Sequence, residues 1–348
     1  MIRNISFKRS AIYTFWIILL LSSLVIGVGI GAVSIPLSEV VKILFSHILG
    51  CDRYWAAGLV PEHETIIMTM RFPRVVLTAL VGAGLALSGA SFQGLFRNPM
   101  ADPYIIGVSS GAALGAVACI VIQSIWSIPL HYGIPVAAFI FALMTILLVY
   151  NLARVGGKVP VMTLLLAGIA VSSLLSALVS LCMFYSGNQL NQVVFWLMGG
   201  FSGRGWDYVY MFIPYGVIGS TLIFIYAREL NAMLLGEESA QHLGIEVERV
   251  KRRLLIAAAL LTGACVSVSG LIGFVGLVIP HIVRMIFGPD HRILLPAVAL
   301  FGAVFLLIAD VLARIIIAPG ELPVGIVTAL VGGPFFIYLL RRQKNAMF

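Results

Sequence analysis

The chain has 348 residues, of which 61% are hydrophobic and 10% charged, and its mean hydropathy is +1.07. That balance excludes an ordinary soluble enzyme, because a globular domain carries about a quarter of its residues as charges. Nor does the net charge of +8 signal nucleic acid, since the Lys and Arg residues lie scattered between apolar runs and form no single basic face.

A bilayer core of about 30 Å takes roughly 20 apolar residues per helix, which leaves room for about ten spans. The first apolar run, Ala11 to Val33, follows Arg3, Lys8 and Arg9 as a signal peptide would, but its length suits a retained anchor. Ile48-Leu49-Gly50-Cys51 resembles a lipoprotein cleavage site only superficially. Lys42, Ser46 and His47 precede it, whereas the apolar core of a signal runs up to the cut. Further spans are expected at Val75 to Phe96, Tyr104 to Ser124, Gly133 to Ala153, Met162 to Tyr185, Tyr208 to Ala227, Leu254 to about Gly270, Leu271 to Phe287, Ile293 to Ala318 and Pro323 to Leu340. Asn98, Pro99, Ala101, Asp102 and Pro103 interrupt the second and third, since proline lacks a donor and restricts its predecessor. The stretch Leu254 to Ile279 is long for one crossing and short for two, and Ser267, Ser269, Gly270 and Gly273 predict a break within it.

With the N-terminus inside, sixteen of the 22 basic residues fall on the cytoplasmic side, and Lys42, Arg53, Arg71, Arg74, Arg204 and Arg314 remain near the outer ends. The positive-inside rule favours that orientation, with both termini cytoplasmic. Shifting the sequence by 181 residues aligns Arg71, Leu80, Gly82, Ala83, Ser88, Gly89 and Pro99 with Arg252, Leu261, Gly263, Ala264, Ser269, Gly270 and Pro280. Five crossings separate the two copies, so the halves run in opposite senses, an architecture recurrent in transporters. The expected fold is therefore all-α. It is one polytopic membrane domain, 1–348, with inverted halves over about 64–200 and 245–341 and a cytoplasmic loop at 229–253.

Glycines recur at helical spacing, as in Gly82, Gly84, Gly89 and Gly94 or Gly107, Gly111 and Gly115. They read either as close helix contacts or as broken helices around a pathway. Cys51, Cys119, Cys182 and Cys265 show no paired spacing and read as small hydrophobes. The most polar stretch holds Gly236, Glu237, Glu238, Ser239, Ala240, Gln241, His242, Leu243 and Gly244, a short helix with glycine at each end. Apolar Leu235, Ala240 and Leu243 among charges fit docking into another protein, although a charge run is often only a solvated loop. The chain has no phosphate-binding loop, because Gly157-Lys158 is followed by Val159 and position 152 is Leu. ATP and Mg therefore belong to a partner, and no cofactor or metal is expected on this chain.

These residues resemble the FecCD permeases of bacterial ABC importers for siderophores, haem and cobalamin, along nearly the whole chain. The resemblance rests on Arg71-Phe72-Pro73-Arg74, Gly89 with Gln93-Gly94-Leu95, Asn98-Pro99-Met100-Ala101-Asp102-Pro103 with Gly107, Ser109 and Gly111, and Leu164 to Gly168. It continues through Trp196 with Met198-Gly199-Gly200, Gly236-Glu237 with Ala240 and Leu243-Gly244, and Gly273 to His281 with Arg284. Asp290-His291-Arg292, Asp310 with Arg314, and Glu321-Leu322-Pro323 with Gly325 complete it.

The resemblance implies a homodimer of ten-helix subunits in the inner membrane, two cytoplasmic ATP-binding subunits, and an extracytoplasmic substrate-binding protein. It makes Gly236, Glu237, Ser239, Ala240, Leu243 and Gly244 the coupling segment on the ATPase. It makes Arg71, Arg74 and Arg314 contacts for the binding protein, with Asp310 four residues before Arg314 as an alternative partner. On that reading, reversing Arg71 and Arg74 to Glu abolishes uptake and leaves expression intact. Gly89, Gln93, Asn98, Pro99, Asp102, Pro103, Ser109, Gly273 and Pro280 are expected to form helix breaks along a small-residue, apolar path. His47, His63 and His131 lie outside without forming a ligand pair, and His281 and His291 are read as structural. The leading cargo is an iron(III)-siderophore or haem, with cobalamin next. An ion-coupled secondary transporter would want unpaired midmembrane charges, a channel a polar ring, and an intramembrane enzyme a convergent base; none is found.

Overall fold

The computed structural model describes residues 2–31, 35–49, 60–127 and 132–346; Cys51, Arg53 and His131 lie outside them. Among the described residues, seven helices are long and apolar enough to cross a membrane. In chain order, α1 (Ile2–Gly29) and α2 (Leu37–Leu49) precede the first of these, α3 (Pro61–Phe96). Next come α4 (Val108–Trp126), α5 (Gly133–Ala153), α6 (Val161–Phe184), a short α7 (Leu190–Met198) and α8 (Trp206–Ile225). On the cytoplasmic side of the expected topology lie α9 (Ala227–Leu234) and α10 (Glu237–His242). The chain closes with α11 (Val247–Ser269), α12 (Val275–Phe287), α13 (His291–Ile315) and α14 (Val324–Ala346). Three shorter apolar segments, Tyr13–Gly29, Val275–Phe287 and Val324–Leu339, join the seven. Together they coincide with the ten expected spans, including the break between Leu254 and Ile279.

α3 is the hub of the bundle. At 36 residues it is about 54 Å long, well beyond the bilayer core, so its first turns project outward. Its Pro73 cannot donate to the preceding turn, and a π turn over Ile66–Arg71 absorbs the mismatch. Below it, small residues let neighbours approach. A Cβ on Gly82 would run into Gly302 O of α13, and a Cβ on Gly302 would run into Gly82 O. Gly84 faces Cys265 and Leu261 of α11, and Gly107, Gly111 and Gly115 lie against α5 and α6. For these glycines the packing reading holds. α2 adds an outer lobe, with Val40, Ile43 and Leu44 packed on Val28, Ile67, Val75 and Leu307.

The bundle breaks at a glycine-rich stretch, Gly270 to Gly276. α11 stops at Ser269, and Gly270 at φ +72° and Phe274 at φ +69° turn the chain back into α12. Gly273, the expected breaker, is not left-handed, and a Cβ there meets nothing within 4 Å. Substituting Val at Gly82 or Gly302 is therefore expected to cost about 1–3 kcal/mol through overpacking, whereas Gly273→Ala leaves stability unchanged. Thermal unfolding of the detergent-purified protein checks both.

Candidate functional site

The last carbonyls of α1 have no helical donor, an expensive position away from water. Two arginines cap them. Arg71 Nη1 donates to Val28 O at 3.2 Å and Gly29 O at 2.8 Å, and Arg314 Nη1 donates to Gly27 O at 2.8 Å and Ile30 O at 2.6 Å. The negative end of the helix dipole favours both cations. Arg74 turns to carboxylates, with Nη2 and Nε on Asp310 Oδ1 at 2.8 and 3.2 Å and Nη1 on the two Glu321 oxygens at 2.8 and 2.9 Å. Asp310 Oδ2 in turn meets Arg314 Nη2 at 3.1 Å, the i, i+4 pair expected from the sequence.

The three arginines expected to contact the binding protein line a common cavity and are bonded within the chain. Arg71, Arg74 and Arg314 are 7%, 9% and 6% exposed and Asp310 is 0% exposed, so their forks are committed inside the chain, and none is an interfacial anchor. The physical reason is that an uncapped helix end and a lone buried carboxylate each cost several kcal/mol, and the planar guanidinium satisfies both at once. Two outer cavities, of about 860 and 460 Å³, meet at Arg74, Arg204 and Glu321. Gln123 and Gln192 line the larger cavity with Trp196 and Tyr208, beside the small residues Gly199, Gly200, Ser202 and Ser269.

Towards the cytoplasmic end, Pro280 inside α12 leaves Gly276 O without its helical donor. Gln93 Nε2 supplies one, donating to Gly276 O at 3.3 Å and Leu277 O at 3.1 Å, while Arg284 Nη1 holds Gln93 Oε1 at 3.0 Å. Gly89 must lack a side chain here, because a Cβ would strike Gly276 O. Gly89, Gln93 and Pro280 thus form one joint between α3 and α12, with Arg284 the member not marked as a site residue from sequence.

Between α3 and α4, Asn98 Oδ1 accepts from Met100 N at 2.9 Å, and Pro99 follows in the same turn. Asp102 Oδ1 accepts from Tyr104 N at 2.8 Å and caps the 3-10 turn Pro103–Ile106. Burial pushes the Asp102 carboxyl up to about 6, against the pull of that N–H. Tyr104 was not singled out, yet its Oη donates to Ile272 O at 3.0 Å and accepts from Ile272 N at 3.2 Å, which satisfies the α11–α12 break. Ser109 is buried at the start of α4 without contact to the break.

The polar stretch is a folded element. Gly236 at φ +115° and Gly244 at φ +82° bracket α10. Ala240 is fully buried, whereas Leu235 and Leu243 are 69% and 64% exposed. Ser239 is exposed beside them. Glu237 Oε2 pairs with Lys251 Nζ at 2.7 Å. Just before α10, Asn231 of α9 donates to Asp290 Oδ1 at 2.6 Å and accepts from His291 N at 2.7 Å, fixing α9 to the start of α13. The Asn231 bond is the main reason that the Asp290 carboxyl lies below its ordinary range. His291 is structural, as expected. On the outer side His47 and His63 pair with Glu64 and Glu39, at 3.3 and 2.6 Å. No cluster of three or more metal-ligating side chains occurs among the described residues.

Comparison with known proteins matches residues 18–342 to the model of the FecCD transport family. The chain is 52% identical over 286 residues to a cobalamin import system permease of Halobacterium salinarum, covering 82% of this chain and 76% of the relative. To a hemin transport system permease of Yersinia pestis it is 45% identical over 287 residues, covering 80% and 84%. The solved inward-facing structure of a metal-chelate type ABC transporter superposes with TM-score 0.82 at 33% identity, covering 96% of this chain and 99% of that one.

Removing Arg74 alone, as Arg74→Gln, strands Asp310 and is expected to cost about 3–5 kcal/mol, so loss of expression, not a selective loss of uptake, follows. Adding Asp310→Asn recovers part of it, as thermal unfolding of the purified variants would report. The raised Asp102 carboxyl makes the folded state hold more protons than the unfolded one between about 4 and 6. Stability therefore falls as pH rises through that window and levels off above it. Asp102→Asn keeps the acceptor for Tyr104 N and is expected to flatten that part of the profile, measured by unfolding at a series of pH values.

Proposed function

We propose, since the chain belongs to the FecCD transport family, that it is the membrane-spanning permease of an ABC importer carrying an iron(III)-siderophore or haem into the cytoplasm. The observation that carries this reading is the helix α10. It is short, held by left-handed glycines and a buried salt bridge, and presents Leu235 and Leu243 to solvent. A chain without a phosphate-binding loop must take its energy from elsewhere, and such a segment is suited to receive it. In this reading two ATP-binding subunits dock at Gly236 to Gly244, a second copy of the permease completes the path, and an extracytoplasmic binding protein delivers cargo over the outer cavities. Both termini are cytoplasmic and the two halves run in inverted senses.

Cobalamin is the second reading, favoured by the Halobacterium relative at 52% identity. Identity does not rank the cargoes, because a path that passes a bulky chelate must not hold it tightly, and selection then falls to the binding protein.

The deciding experiment reconstitutes the permease with its ATP-binding subunits and supplies binding protein loaded with ferric siderophore, haem or cobalamin. Uptake of one of them that stops when ATP is withheld is expected, and Glu237→Arg or Gly244→Pro is expected to leave hydrolysis running without uptake. Accumulation driven by an ion gradient with no ATPase present would overturn the reading.

A further inference from the structure

The hairpin that joins α5 to α6 is unusually well fixed for a membrane loop. Val155 N donates to Lys158 O at 2.9 Å and Lys158 N to Val155 O at 3.1 Å. Gly156 and Gly157 at φ +58° and +84° complete a two-residue turn that only left-handed residues close. The next residue, Val159, is 3% exposed, and Pro160 caps α6. Val159 N is not taken by the turn or by α6; it donates to Glu248 Oε2 at 3.2 Å.

Glu248 lies on the first turn of α11, and its other oxygen, Oε1, stands 3.3 Å from Lys251 Nζ. Lys251 is 5% exposed and spends the same ammonium on Glu237 Oε2 of α10 at 2.7 Å. One buried cation and one two-headed carboxylate therefore connect the first residue of α10 to the last amide before α6. Removing either half-buried carboxylate leaves the buried Lys251 ammonium or the Val159 N–H short of a partner, which favours moving the contacts together over breaking them.

What it connects to is a helix that leaves most of its apolar surface uncovered by its own chain. In α6 only 22% of the apolar window is buried, against 78% in α3 and in α11. A helix so lightly packed can shift at small cost, provided something at its end pulls it.

We infer that Glu248 is a positioning residue of the transport cycle: through Lys251 and the Val159 amide it passes displacement of α10 to the start of α6. The inference rests on reading α10 as the segment that docks the ATPase. Glu248 itself belongs to α11, so altering it leaves the exposed leucines of the docking surface in place.

The test uses the complete complex of permease and ATP-binding subunits in lipid nanodiscs, with the four cysteines replaced by Ala and Ser173→Cys on the exposed face of α6. Maleimide labelling of that cysteine is timed with and without ATP, alongside ATP hydrolysis. In the parent complex the labelling rate is expected to change with ATP. In Glu248→Met/Lys251→Met, where two apolar side chains replace the buried pair, ATP hydrolysis continues and the ATP-dependent change falls about tenfold, the order of a typical coupling. Val159→Pro removes the amide hydrogen, along with the buried valine side chain, and leaves Glu248 and Lys251 in place; it is expected to behave likewise, which settles the matter if the double variant does not assemble. A labelling change equal to the parent's in either variant overturns the link, and so does a parent that hydrolyses ATP with no change at Ser173→Cys. Failure of the parent to bind the ATP-binding subunits would instead sink the docking reading of α10.

Discussion

Lipid offers no hydrogen bonds, so each carbonyl or N–H released by a helix end or a proline must find its partner inside the chain. Much of this structure is an answer to that demand. The end of α1 takes the guanidinium groups of Arg71 and Arg314. The carbonyl freed by Pro280 takes the amide of Gln93. The end of α11 receives Gly200 N on Ser269 O at 2.7 Å, and Ile272 is held through both its backbone groups by Tyr104. In each case the donor comes from a distant part of the sequence, so satisfying the backbone also ties the bundle together.

The same constraint divides the molecule into rigid and movable parts. α3, α11 and α13 are joined by glycine contacts and caps that leave little play, because a core at close packing has discrete arrangements and no soft ones. α6 is packed along one side only, through Leu164, Gly168, Val171 and Val179, and leaves most of its surface uncovered by the chain. A transporter needs that combination, a frame against which a lightly packed helix can be displaced. The charges around α10 follow the same pattern, with Lys251 buried and Glu248 half-buried as a junction while Glu238 and Arg249 face solvent.

Beside the end of α1, Arg74 and Arg314 form a dense ionic group with Glu321 around the buried Asp310. Its arginines are inward-facing, and Glu321, with 35% of its side chain exposed, is its carboxylate open to the cavities. Arg204 lines the same cavities and stacks over the Tyr208 ring at 4.3 Å.

The spans were legible because apolar run length is a local property set by bilayer thickness, and the helix breaks because proline and glycine act on their own backbone. The family resemblance rested on the order and spacing of motifs, and the i, i+4 pair of Asp310 with Arg314 followed from helical geometry alone. Arg71, Arg74, Gln93 and Glu237, singled out from the sequence, each bond a group elsewhere in the chain. Their partners were not legible. Nothing in sequence joins Arg71 to the end of α1, Gln93 to the carbonyl that Pro280 frees, or Glu248 to the amide of Val159, since those groups are separated by tens to hundreds of positions. The sequence by itself determined where helices cross and where they break; only the tertiary structure decided which distant side chain meets each unpaired group, because that depends on how the helices pack.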